Sequence, residues 1–95
     1  MRTIHKYRPN VLNKEIIHIR GLIELLSVAE QKDNIAIYAL VDTENKKITN
    51  VDIAIVPTGE NANSVIGWKF LGTVNLFNGE FIFHVYYKYL DMKKE

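Results

Sequence analysis

The sequence predicts an all-β, mainly antiparallel fold in one domain, residues 1–95, with about six or seven strands arranged as a small barrel-like or sandwich sheet. Three observations predict it. Two runs of aromatic and β-branched residues, "WKFLGTVNLF" and "EFIFHVYYKYL", flank Asn78-Gly79, a pair suited to the positive φ angles of a tight hairpin turn. The stretch "ITNVDIAIV" (48–56) alternates with period two, placing Val51, Ile53 and Ile55 on one side and Asn50 and Asp52 on the other. The stretch "NIAIYALVD" (34–42) is an apolar run of strand length that ends at a polar turn.

Taken in order, "RTIHKY" forms a short strand before Pro9. Residues 14–20 and 23–31 read as two strands, because "EIIHI" is β-branched and alternating and Gly21 falls at a natural turn. The alternative is an α+β fold with a helix within 11–31, since Leu12, Ile16, Ile19, Ile23 and Leu26 also fit a helical stripe. A tight turn at Lys32-Asp33 then leads into 34–42, and "TENKK" leads into 48–56. "PTGENANS" (57–64) is a polar loop, longer than an ordinary hairpin connection. The tail at about 91–95 is charged and expected to fray.

Register in the last hairpin follows from its turn. With Asn78 and Gly79 as a two-residue loop, the core face carries Leu76 opposite Phe81, Val74 opposite Phe83, Gly72 opposite Val85, Phe70 opposite Tyr87 and Trp68 opposite Tyr89. The other face carries Asn75 opposite Ile82, Thr73 opposite His84, Leu71 opposite Tyr86 and Lys69 opposite Lys88. His84 therefore points away from the core of its own hairpin.

Composition bounds the chemistry. Twelve basic residues against eleven acidic ones leave a net charge of +1, so no bulk field favours nucleic acid or an anionic membrane. There is no cysteine, which excludes disulfides and thiolate metal sites. No segment has the ~20 apolar residues of a membrane helix, and the N-terminus lacks a signal-peptide core, so the expected setting is the cytoplasm. His5, His18 and His84 show no metal-binding spacing, no nucleophile motif is present, and nothing calls for a cofactor.

Two candidate ligand sites remain. One is the face of His84, with Thr73, Tyr86, Lys69 and Lys88 offering donors, a ring and positive charge to an anionic ligand. The other is the loop, where Thr58, Gly59, Glu60, Asn61 and Asn63 present polar groups. For each, an ordinary solvated surface is the plainer reading.

The order of "TIHKY" (3–7), "LLSV" (25–28), "YALVD" (38–42), "TG" (58–59), "LGT" (71–73) and "FHV" (83–85) resembles a family of small, largely uncharacterised proteins encoded in bacteriophages, prophages and bacteria. The resemblance implies a compact, mostly β protein of phage origin. It supplies no activity, and where that family would carry a His-Pro-like element after Thr-Gly, this chain reads "TGENAN". The function expected is a non-enzymatic protein–protein interaction module, acting on a host protein such as a defence enzyme or on a second copy of itself. The alternative is a binding protein that sequesters a small anionic, nucleotide-type ligand. An enzyme ranks third, because no convergent acid, base and nucleophile set is visible.

Overall fold

A computed structural model describes residues 1–10 and 14–90. The expected charged tail at 91–95 and part of the ambiguous stretch, 11–13, lie outside the described residues. The described residues form seven strands: β1 (Arg2–Tyr7), β2 (Glu15–Arg20), β3 (Leu22–Gln31), β4 (Asn34–Asp42), β5 (Ile48–Pro57), β6 (Lys69–Leu76) and β7 (Phe81–Tyr89). A short 3-10 turn, Asn63–Val65, interrupts the β5–β6 connection. All pairings are antiparallel, and they build two sheets, β1-β4-β3 and β2-β5-β7-β6, which do not close into a barrel.

No helix forms in the described part of 11–31. Alternation decides it: Ile17 and Ile19 are buried on one side of β2 while Ile16 and His18 are exposed on the other. Three members of the alternative helical stripe, Ile16, Ile23 and Leu26, are 41–47% exposed and do not form the buried set. Ile23 and Leu26 are the extra residues at two bulges where β3 slips against β4. The extra residue at a bulge is left unpaired and drops out of the strict in–out alternation.

Gly21 lets the chain pass from one sheet to the other. Its N–H donates to the Lys47 carbonyl at 2.8 Å and its C=O accepts from the Asp42 N–H at 2.8 Å, so one residue links the ends of both sheets. A Cβ there would sit 2.2 Å from the Asp42 carbonyl oxygen, and φ is +71°. Only glycine fits.

The core lies between the sheets. Ile17, Ile19, Val51, Ile53, Val74, Leu76 and Val85 from the four-stranded sheet face Leu25, Ile35, Ile37, Ala39 and Val41 from the three-stranded one. Each Val, Leu or Ile among them, taken fully out of water, contributes roughly 1.5–3 kcal/mol. β6 also lies against β3 without a ladder. Gly72 makes that approach possible, since a Cβ on it would stand 2.7 Å from Val28 Cγ1.

The last hairpin follows the expected register from Leu76–Phe81 to Gly72–Val85, including Thr73–His84. Its loop is longer than expected. Phe77, Asn78 and Gly79 all have positive φ (54°, 57° and 86°). Two overlapping turns close the loop, Gly79 N–H to Leu76 C=O and Glu80 N–H to Phe77 C=O. Beyond Gly72 the register slips by one residue, with Leu71 as the bulge. Phe70 is then opposite Tyr86 rather than Tyr87, and Lys69 is opposite Tyr87 rather than Lys88. The predicted Lys69–Lys88 pair does not exist.

Candidate functional site

The outer face of the four-stranded sheet is crossed by its own connection. β5 and β6 flank β7 on opposite sides, so residues 58–68 must pass over β7 to join them. The inner side is filled by core. The connection starts at Thr58, which bonds to His84, and ends at Trp68, which lies against Lys88, and both contacts are on the outer face. Ala54, an outer-face residue of β5 opposite Tyr86, is accordingly buried.

His84 sits at the start of this crossing, half-buried between Val56 on β5 and Thr73 on β6. Its Nδ1 lies 3.0 Å from Thr73 Oγ1 and its Nε2 lies 2.8 Å from Thr58 Oγ1. Thr58 is itself held to β7 through its N–H, which donates to the Ile82 carbonyl at 3.0 Å. In a neutral imidazole one nitrogen donates and the other accepts, and a hydroxyl can serve either role. The histidine thus ties the loop to the edge strand with both nitrogens engaged. The two sites read from the sequence, the His84 face and the "PTGENANS" loop, meet at this residue.

The remaining loop candidates are exposed and use their backbone groups internally. Glu60 N–H donates to the Pro57 carbonyl across Gly59, and Asn63 N–H donates to Asn61 Oδ1 at 2.7 Å. Those amides are committed to turn geometry.

Toward the other end of β7 the face becomes aromatic and basic. Tyr86 meets Phe70, with ring centroids 5.3 Å apart and planes tilted by 60°. Phe70 is 56% exposed although the hairpin pattern predicted it inside. Trp68, also predicted on the core side, lies half-buried on this outer face. Lys88 Nζ stands 4.8 Å from the centroid of the Trp68 ring and Lys14 Nζ stands 4.9 Å from it. Both are within cation–π range. Thr73, Tyr86, Lys88 and His84 therefore share one face as expected from sequence, whereas Lys69 occupies the core-side register with Tyr87 and Ile53.

Sequence reasoning missed Phe70, Trp68 and Lys14. The one available signal was Gly72, since a glycine inside a strand often marks a bulge or a close backbone approach. A single extra residue at Leu71 exchanges the two faces for everything before it.

The other histidines lie apart. His18 Nδ1 bonds to Asn50 Oδ1 on the exposed side of β2, and His5 lies on β1 in the other sheet from His84. Among the described residues no group of three His, Asp or Glu side chains converges on one point. No described helix is long and apolar enough to cross a membrane.

Fold and face together define a small two-sheet β domain with an aromatic, basic patch on the outer side of its larger sheet. The chain belongs to the family described as domain of unknown function DUF7352, whose model matches residues 1–95. No curated protein and no solved structure matches the chain.

Proposed function

We propose that the chain is a non-enzymatic protein–protein interaction module whose contact face is the outer side of β6 and β7. The observation that carries the reading is the β6 bulge, which turns Phe70 out to 56% exposure beside Tyr86, next to Trp68 and two lysines. Aromatic residues on a rigid strand, ringed by polar groups, have the composition of an interface hot spot. The engagement of both His84 nitrogens supports a bracing role for that residue rather than acid–base work. A phage setting, as the resemblance implies, would make the partner a host cytoplasmic protein, including a defence enzyme. A second copy of the chain is the other candidate partner.

A second reading is favoured by one observation, the placement of Lys14 and Lys88 over a single indole, which suits capture of a small anionic nucleotide-type ligand. One experiment separates the two. The full chain and its Phe70→Ser variant are used as bait in a bacterial lysate, with light scattering on the pure proteins and thermal shift against linear and cyclic nucleotides. The interaction reading expects one retained protein, or a fixed oligomer, that is lost in Phe70→Ser at unchanged melting temperature. A nucleotide that raises the melting temperature of the wild type and not of Lys88→Glu would replace that reading with the second.

A further inference from the structure

We propose that this face takes an acidic segment of a protein partner, pairing its carboxylates with the Lys14 and Lys88 ammonium groups and seating an aromatic side chain on Phe70 and Tyr86. The inference rests on the interaction reading and adds the chemistry of the partner. Charge complementarity carries it. Among the described residues the ion pairs are those of the Met1 ammonium with Asp42 and Glu44, and neither Lys14 nor Lys88 has a carboxylate partner. Asp52 lies opposite Lys88 in the ladder, yet the Lys88 ammonium turns to the indole instead. An aromatic ring holds a cation in place and leaves its charge uncancelled. Each ammonium, held 4.9 Å (Lys14) or 4.8 Å (Lys88) from the Trp68 ring centroid, can donate a charge-assisted hydrogen bond to a carboxylate of the partner.

The adjacent rings define the rest of the ligand. Phe70 and Tyr86 are tilted by 60°, leaving an exposed Phe70 flank against which an aromatic side chain can pack edge to face. Nucleic acid is disfavoured, because two lysines, one of them opposite Asp52 in the ladder, supply too few phosphate contacts to hold a polyanion at ordinary salt.

The test is selection of a random dodecapeptide display library on the immobilised full chain, in parallel with Lys14→Glu/Lys88→Glu and with Phe70→Ser. The proposal expects wild type to enrich peptides combining Asp or Glu with Phe, Tyr or Trp. Synthetic copies should bind at least tenfold more weakly to the double charge variant, and more weakly to wild type as salt rises. Neutral or basic peptides that require Phe70 would overturn the acidic assignment and leave the interaction reading standing. Enrichment indifferent to all three substitutions would overturn both. Circular dichroism of the variants serves as the folding control, and Lys14→Gln/Lys88→Gln repeats the charge test without introducing repulsion.

Discussion

Replacing His84 with alanine removes two hydroxyl contacts at once, those of Thr58 and Thr73, and leaves a gap under the start of the crossing loop. The expected cost is about 1–3 kcal/mol, the range for hydrogen bonds lost from a half-buried site. Ile53→Ala, at a fully buried position, should cost about 2–5 kcal/mol. Denaturant unfolding of the two variants measures the difference, and equal losses would place His84 in the core rather than on the face. The turn offers a second comparison at this scale. Gly79→Val should cost about 1 kcal/mol or more, because a β-branched residue resists a φ of 86°. Phe77→Gly should be close to neutral: it relieves left-handed strain at φ 54° and loses the edge contact with Phe81. A melting temperature unmoved by Gly79→Val would reject the left-handed turn. That Asn78 and Gly79 sit at a turn was readable from their residue types. The left-handed φ of Phe77 was not, since no local propensity favours it for an aromatic residue.

At the level of elements, β6 shows how one residue redistributes a strand. Its half next to the turn was legible, because alternation and the turn together set the pairs from Leu76–Phe81 to Gly72–Val85. The other half was not, because period-two reasoning assumes an unbroken ladder and the Leu71 bulge breaks it. Beside the bulge lies a contact with the other sheet. β3 approaches β6 so closely that Val28 Cγ1 occupies the place of a Gly72 side chain, a tertiary constraint that no window of sequence contains. Gly72→Ala should therefore destabilise by about 1–3 kcal/mol through overpacking. Val28→Ala in the same chain should recover part of that loss, as expected for residues in contact. Additive costs in this double-mutant cycle would mean that β3 and β6 are not packed at this point. The β2–β3 region was settled by Gly21 and by the alternation of "EIIHI", both visible in the sequence.

For the whole molecule, the near balance of basic and acidic residues conceals a local imbalance. Lys14 and Lys88, the two cations of the proposed contact, are far apart in sequence and meet at Trp68 because β2 and β7 flank β5 in one sheet. Strand order was the missing link: residue types and spacing predicted a basic, aromatic face, but with Lys69 in place of Lys14 and without Phe70. Lys88→Glu should leave the chain folded at a cost of about 1 kcal/mol, from the lost contact with Trp68 and the like charge set opposite Asp52, since Lys88 is exposed. It should still weaken partner binding. The most direct test of the face is site-specific photo-crosslinking in a bacterial host, with benzoylphenylalanine placed at Phe70 or, as a control on the other sheet, at the exposed Ile4. The account predicts one discrete cross-linked species from position 70, absent from position 4 and diminished by Lys88→Glu. The same species from both positions, or none from position 70 in a correctly folded chain, would contradict it.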